Sequence, residues 1–233
     1  SLRSIMMPSE FKSRPPRCHG PSMPHGDVGR YVKIAALALL LFLGGTHARA
    51  GDLVVLAFGD SLTAGYGLPA RDAFVARLQA ALRQQGHAVR VRNGSVSGDT
   101  TSGGRARLDW TLSGKVDLVI LELGANDGLR GVDPRVTRAN LDAMLAALGK
   151  RNIPVLLAGM LAPPNLGPEY GEAFNSIYPD LARKHAVTLY PFFLQGVAAK
   201  PALNQNDGLH PNAAGVRVIV AAMTPYVVDL LKP

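Results

Sequence analysis

The sequence predicts a three-layer α/β/α fold around a parallel sheet of about five strands. Two observations point to it: short, nearly continuous apolar segments alternate with amphipathic ones, and no internal repeat or low-complexity segment interrupts them after residue 50. Strands that are buried on both faces are apolar throughout, whereas helices that cover a sheet are apolar on one face. Such alternation is typical of a parallel sheet with helices on both faces.

The predicted strands and helices follow one another along the chain. Apolar runs predict strands at Leu53–Phe58, Ala88–Val91, Val116–Leu123, Val155–Met160 and, most weakly, Val187–Tyr190. Apolar residues at three- and four-residue spacing predict helices at Ala73–Gln85, Arg135–Lys150, Tyr170–Lys184 and Ala213–Leu231. The connections after the first four strands are Gly59–Gly67, Asn93–Gly104, Gly124–Gly131 and Leu161–Gly167. All four are expected to open on the carboxyl edge of the sheet, where parallel sheets bind ligands.

Residues 1–50 are predicted to be a lead-in followed by a cleavable signal peptide. Two basic residues, Arg30 and Lys33, precede the apolar run Ile34–Leu43, and Ala48-Arg49-Ala50 matches the small-residue pattern of a cleavage site after Ala50. The run is far shorter than the ~20 residues that span a bilayer, which favours cleavage over the alternative of an uncleaved anchor. The processed protein is therefore expected to be periplasmic or secreted, with no stable membrane anchor.

Residues 51–233 are predicted to form one domain with no nucleic-acid partner. The formal net charge is +8, but residues 1–50 contain seven Lys and Arg and two acidic residues, which leaves about +3 for the rest. That remainder has no basic stripe of the kind that binds nucleic acid. The only cysteine, Cys18, lies in the predicted leader, so the domain has no internal disulfide and no thiol nucleophile. Export without disulfides is compatible with a periplasmic enzyme.

Three residues have the chemistry of a hydrolase triad. Ser61 follows the first strand in Gly59-Asp60-Ser61-Leu62-Thr63, and a later loop carries Asp207-Gly208-Leu209-His210-Pro211. A serine hydroxyl becomes a nucleophile when a neutral imidazole takes its proton, and an acid beside the other ring nitrogen fixes the tautomer. Ser61 is therefore the candidate nucleophile, His210 the base and Asp207 its orienting acid. Pro211 is expected to begin the last helix.

Four blocks of residues resemble the GDSL, or SGNH, hydrolases. They are Gly59-Asp60-Ser61-Leu62, Asn93-Gly94-Ser95-Val96-Ser97-Gly98-Asp99-Thr100, Gly124-Ala125-Asn126-Asp127 and Asp207-Gly208-Leu209-His210-Pro211, in the family's order. The resemblance covers essentially all of residues 51–233 and is greatest to the bacterial thioesterase I/protease I/lysophospholipase and arylesterase group. It implies a flavodoxin-like sheet and a serine esterase or thioesterase that acts on a small-molecule acyl ester or thioester through an acyl-enzyme on Ser61.

The resemblance also implies three donors for the oxyanion of the tetrahedral intermediate. These are the backbone N–H groups of Ser61 and Gly98 and the side-chain amide of Asn126. Considered without the other blocks, Gly98 is an ordinary loop glycine and Asn126 a turn residue. Asp60 and Asp127 are interpreted as residues that organise their loops. Apolar residues near the same edge indicate a groove for an acyl chain: Leu129, Leu161, Pro163, Pro164 and Leu166.

Other interpretations have less support. An α/β-hydrolase would have glycine at Thr63, at the end of its G-x-S-x-G turn. A carbohydrate O-acetyl esterase would share the triad and remains the alternative within the family; a flavodoxin-like binding module is the alternative outside the enzymes. No cofactor and no metal are predicted, because the sequence has no His-x-x-x-His pair, no cysteine cluster and no phosphate-binding G-x-x-x-x-G-K-[ST] loop. No oligomeric state is predicted.

Overall fold

The computed structural model describes residues 52–232, so the predicted leader lies outside the described residues. Within that part the strands are β1 Leu53–Gly59, β2 Val89–Asn93, β3 Leu118–Glu122, β4 Val155–Ala158 and β5 Thr188–Tyr190. The helices are α1 Ser61–Ala64, α2 Phe74–Gln84, α3 Thr101–Thr111, α4 Ala125–Leu129, α5 Pro134–Lys150, α6 Pro168–Asn175, α7 Ile177–His185 and α8 Ala213–Leu230. Single 3₁₀ turns lie at Ala70–Asp72, Pro164–Leu166 and Pro201–Leu203.

The strands form one parallel sheet in the order β2-β1-β3-β4-β5, which confirms the predicted fold class. Every residue of β3 and β4 is buried, as expected for central strands covered on both faces. The register aligns the carboxyl ends, since Gly59 lies opposite Glu122 and Ala158 opposite Tyr190. The loops that follow the strands therefore open on one edge.

Helices cover both faces of the sheet. Helices α2 and α8 pack together on one face, and α3, α5 and α7 pack side by side on the other. Helix α8 is long and apolar enough to span a membrane, but its buried residues recur at three- and four-residue spacing and pack into the core. They are Val216, Ile219, Val220, Met223 and Val227. This face explains the hydropathy of the helix.

Two helical predictions were wrong in detail. Helix α3 begins inside the segment that was predicted to be the loop Asn93–Gly104, since Thr100 caps it and accepts a hydrogen bond from the Gly103 N–H. The predicted helix Tyr170–Lys184 is two helices that meet at Ser176. Pro179 explains the break, because it has no N–H to donate and its ring clashes with the carbonyl of Asn175, the last residue of α6.

The connections reverse direction next to β1. The chain crosses from β1 to β2 on one side and then returns past β1 to reach β3 on its other side. In open parallel sheets, ligands bind outside the carboxyl ends at such a reversal. The segments after β1 and β3 flank this crevice, and they contain Ser61 and Asn126.

Candidate active site

Ser61 begins the short helix α1, directly after β1. The preceding residue, Asp60, caps the helix by accepting a hydrogen bond of 3.0 Å from the Leu62 N–H to Oδ1. Ser61 is itself only 9% exposed. The first N–H groups of a helix have no partner within it, and within residues 52–232 the Ser61 N–H has none elsewhere. The sequence thus places both a hydroxyl and a free N–H at the crevice.

His210 reaches Ser61 from the loop before α8. Its Nε2 lies 2.9 Å from Ser61 Oγ, and its Nδ1 lies 2.7 Å from Asp207 Oδ2. The other carboxylate oxygen of Asp207 accepts hydrogen bonds from the backbone N–H groups of Leu209 and His210, at 2.9 and 3.0 Å. These contacts, the backbone bonds above all, lower the pKa of Asp207 to about 2. Asp207 is therefore an anion above that pH.

The loop that carries His210 is fixed by its own backbone. The Gln205 N–H donates to the His210 carbonyl at 2.7 Å, and Asn204 and Pro211 form an antiparallel bridge. Asn212 then caps α8 with bonds to the N–H groups of Ala214 and Gly215. Pro211 thus lies before the cap and does not begin the helix, contrary to the expectation, because its backbone pairs with Asn204. These hydrogen bonds hold in place the turn that carries the imidazole.

Tyr66 packs against the imidazole. Its ring centroid lies 4.7 Å from that of His210, at an interplanar angle of 41°, although the tyrosine is 54% exposed. Its backbone carbonyl accepts a hydrogen bond of 2.8 Å from the side chain of Gln205. An aromatic ring in this place limits the rotation of the imidazole. Sequence reasoning missed Tyr66.

Gly98 occupies a tight turn after β2. The Asp99 N–H donates to the Val96 carbonyl at 3.1 Å, and Gly98 has a φ of +83°, which makes a type II turn over Val96 to Asp99. The Arg130 guanidinium donates to the Gly98 carbonyl at 2.9 Å and ties this turn to the end of α4. Among the described residues the Gly98 N–H has no hydrogen-bond partner. A positive φ explains why glycine is needed.

Asn126 lies in the first turn of α4 and lines the same cavity as Ser61 and His210. Its Nδ2 donates to Asp60 Oδ2 at 3.0 Å and to the Asp99 carbonyl at 2.9 Å. Both amide hydrogens thus have acceptors within the protein, which the sequence did not lead us to expect. An oxyanion would have to share one of them.

Two acidic side chains are fully buried beneath these residues. Glu122, at the end of β3, accepts bonds from the Thr63 hydroxyl at 2.9 Å and from the Asp60 N–H at 3.3 Å. Burial raises the pKa of Glu122 well above its usual range, and it raises that of Asp60 to about 6. Asp60 organises its loop as expected, but it also contacts Asn126. A single acid within an apolar strand is the signal that would have drawn attention to Glu122.

Asp127 also organises its loop, as interpreted. It is fully buried and accepts hydrogen bonds from the N–H and hydroxyl of Thr101, at 2.8 and 2.5 Å, and from the Thr137 hydroxyl at 3.1 Å. These bonds fasten the start of α4 to helices α3 and α5. Asp127 has no hydrogen bond to Ser61, Asn126 or His210.

A largely apolar cavity of about 340 Å³ adjoins Ser61 and His210. Four of the five residues predicted for an acyl groove line it: Leu129, Leu161, Pro163 and Pro164. Leu166 does not, because its side chain lies beside Gly131, at the end of the segment after β3. Met160 and Phe192 extend the apolar wall. Within residues 52–232, no three His, Cys, Asp or Glu side chains are grouped so as to hold a metal ion.

A serine, an imidazole and a carboxylate in hydrogen-bonded sequence, beside an apolar cavity at the carboxyl edge of a parallel sheet, define a hydrolase of the serine type. Comparison with known proteins agrees. Residues 57–218 match the model of the GDSL-like lipase/acylhydrolase family.

The chain is similar to several esterases and thioesterases. It is 44% identical to an arylesterase of Vibrio mimicus over 76% of this chain and 90% of that protein. It is 42% identical to thioesterase 1/protease 1/lysophospholipase L1 of Escherichia coli K12, over 76% of this chain and 81% of that protein. The crystal structure of the psychrotrophic esterase EstA from Pseudoalteromonas, inhibited by monoethylphosphonate, matches with a TM-score of 0.73 at 34% identity, over 77% of this chain and 99% of that one.

The chain therefore belongs to the GDSL-like lipase/acylhydrolase family, as its four sequence blocks indicated. It is a serine ester hydrolase that acts on a small-molecule ester.

Proposed function

We propose that the protein hydrolyses carboxylic esters and thioesters through an acyl-enzyme on Ser61. The observation that carries the proposal is the contact of 2.9 Å between Ser61 Oγ and His210 Nε2. Since the Asp207 anion accepts from Nδ1–H, the proton of the neutral imidazole lies on Nδ1 and Nε2 is free to accept. His210 is thus in the tautomer that a general base needs.

In the first half-reaction, Ser61 Oγ attacks the acyl carbon while His210 Nε2 takes the hydroxyl proton. The carbonyl oxygen becomes the oxyanion, facing the N–H groups of Ser61 and Gly98 and the amide of Asn126. The imidazolium then protonates the leaving alcohol or thiol as its bond to the acyl carbon breaks. A water molecule repeats the sequence in the second half-reaction and releases the carboxylic acid and Ser61. Asp207 stays ionised and stabilises the imidazolium in both steps.

The cavity and the relatives support acyl chains longer than acetyl. An apolar cavity of about 340 Å³ lined by Leu129, Leu161 and two prolines is suited to hydrocarbon, whose burial is favourable by about 0.8 kcal/mol per methylene. The relatives are named arylesterase and thioesterase 1/protease 1/lysophospholipase L1. These observations favour an esterase or thioesterase with a lipid-like acyl group over a carbohydrate O-acetyl esterase.

The proposal includes export. Residues 1–50 have the basic, apolar and small-residue segments of a signal peptide, and cleavage after Ala50 would leave residues 51–233 as the hydrolase domain. The family match begins at residue 57, after the proposed cleavage site. The processed enzyme is placed by this proposal in the periplasm or outside the cell.

The nucleophile is tested by covalent labelling. An organophosphonate ester should add to the protein once and should be found by mass spectrometry on the peptide that contains Ser61. Ser61→Ala should lose both the label and hydrolysis of p-nitrophenyl butyrate. Ser113→Ala, at an exposed serine away from the cavity, is the matched control and should keep both. A label on another residue, or an active Ser61→Ala enzyme, would remove Ser61 from the mechanism.

A further inference from the structure

We propose that Asp60 is a positioning residue that orients the oxyanion donors on both sides of the crevice. Its carboxylate is fully buried and makes two contacts with different partners. Oδ1 accepts from the Leu62 N–H in the first turn of the helix that carries Ser61, and Oδ2 accepts from the amide of Asn126. One carboxylate thus connects the segments after β1 and β3. The proposal rests on the proposed function, in which Asn126 is a donor to the oxyanion.

The contacts of Asn126 fix which amide atom occupies the donor position. Asp60 Oδ2 and the Asp99 carbonyl both face Nδ2, at 3.0 and 2.9 Å. If the amide were flipped, Oδ1 would face two acceptor oxygens with no hydrogen between them. The orientation with the NH₂ group inward is therefore imposed by Asp60 and Asp99 together. Asp60 supplies the stronger constraint, since hydrogen bonds to a charged acceptor are about twice as strong as neutral ones.

Asp60 is placed to be an anion although it is buried. Glu122 accepts a hydrogen bond of 3.3 Å from the Asp60 N–H, and burial raises the pKa of Glu122 well above its usual range. Burial raises the pKa of Asp60 to about 6, and above that pH Asp60 is an anion that the Leu62 N–H and the Asn126 amide stabilise. The other titratable and charged groups around Asp60 come from five segments. They are Glu122 of β3, Asp127 of α4, Tyr178 of α7, His210 of the loop before α8, and Arg107 of α3, whose guanidinium donates to the Gly59 carbonyl.

Asp60→Asn tests the proposal because it keeps the shape of the side chain. An amide at this position has one oxygen for two donors, the Leu62 N–H and the Asn126 NH₂, so its own NH₂ must face one of them. We expect kcat to fall by about 10- to 100-fold, the range for loss of a hydrogen bond to a charged group, with little change in KM. Asn126→Ala should lower kcat by about 10²- to 10³-fold.

The double variant separates positioning from other effects. If Asp60 acts through Asn126, Asp60→Asn should change kcat by less than about threefold once Asn126 is alanine. If Asp60→Asn still lowered kcat by the full factor of about 10 to 100 in the Asn126→Ala enzyme, the proposal would be overturned. Asp72→Asn is the control, a largely buried aspartate whose carboxylate binds Arg77 and not Asn126, and its effect should simply add to that of Asn126→Ala. An Asn126→Ala enzyme with unchanged kcat would instead refute the proposed function of Asn126, whatever Asp60 does.

The pH profile of the unaltered enzyme provides a test that does not depend on folding of a variant. If the proposed mechanism needs both a neutral His210 and an anionic Asp60, log(kcat/KM) should fall with a slope steeper than one over about the first pH unit below pH 6, because protonation of Asp60 adds its own loss of about 10- to 100-fold. Asp60→Asn, where it folds, should reduce the slope to one. Circular dichroism at each pH must show the native fold. A slope of one for the folded, unaltered enzyme down to pH 4.5 would overturn the proposal.

Discussion

Asp207→Asn is expected to disable His210 by changing its tautomer. Asp207 Oδ1 accepts two backbone N–H groups, and Oδ2 faces His210 Nδ1 at 2.7 Å. In the variant the amide oxygen keeps the two backbone donors, so the NH₂ group faces Nδ1. Nδ1 must then be the acceptor, and the imidazole proton moves to Nε2, where it points at Ser61 Oγ. A protonated Nε2 cannot take the serine proton.

The contacts give the size of the effect. If the new amide flipped, its oxygen would face Nδ1 and the imidazole proton could return there. The flip would lose two backbone hydrogen bonds of about 1 kcal/mol each, so the fraction of enzyme with an unprotonated Nε2 would be about 30-fold smaller. Loss of the anion beside the imidazolium costs a further 1.5–3 kcal/mol, or roughly 10- to 150-fold. The product is a fall in kcat of about 10³-fold. The same substitution in a well-studied serine protease costs about 10⁴-fold.

The assay is steady-state hydrolysis of p-nitrophenyl butyrate at pH 7.5, with the melting temperature measured alongside. The melting temperature should fall by only a few degrees, because the amide oxygen keeps both backbone bonds but not the charge that strengthens them. Asp229→Asn, at an exposed aspartate near the end of α8, is the control and should be fully active. A folded Asp207→Asn enzyme within tenfold of the original kcat would refute the assignment of Asp207 as the orienting acid.

Two further predictions concern the groove and the leader. Leu161→Trp should lower kcat/KM for p-nitrophenyl decanoate about 15- to 60-fold, as expected for two or three methylenes excluded from an apolar site, while the acetate is unaffected. Leu166→Trp, in the same segment but outside the cavity, should leave both substrates unchanged, and equal effects of the two variants would argue against an acyl groove. When the full chain is expressed in a bacterium that exports it, the intact mass of the mature protein should correspond to a chain that begins at Gly51. A mature protein that keeps the apolar run Ile34–Leu43 would contradict cleavage after Ala50.

The sequence predicted the strands and the residue blocks, which depend on local patterns. The apolar runs located all five strands within a few residues, and the four blocks identified Ser61, Asp207 and His210, which the structure brings into contact. Helix α3 was missed because two glycines, Gly103 and Gly104, follow its cap and weaken the helical pattern. Gly104 has a structural reason, since a side chain there would collide with Leu123.

Sequence patterns could not predict contacts between side chains from distant segments of the chain. The bond between Asp60 and Asn126 joins residues 66 apart, and it forms with the carboxylate oxygen that the cap of α1 leaves free. Tyr66 meets His210 where Gln205 links their loops, by hydrogen bonds to the backbone carbonyls of both. Periodicity reports which face of an element is buried, but it does not report which polar groups meet at the edge of a sheet.

The position of His210 after all five strands sets the order in which the enzyme is completed during synthesis. Ser61 and His210 are 149 residues apart, and at about 5–20 residues per second the imidazole is made roughly 7 to 30 s after the serine. In the proposed mechanism, a chain that ends before this loop has Ser61 but no base, so hydrolysis requires that the last loop has been made and has docked against the segment after β1.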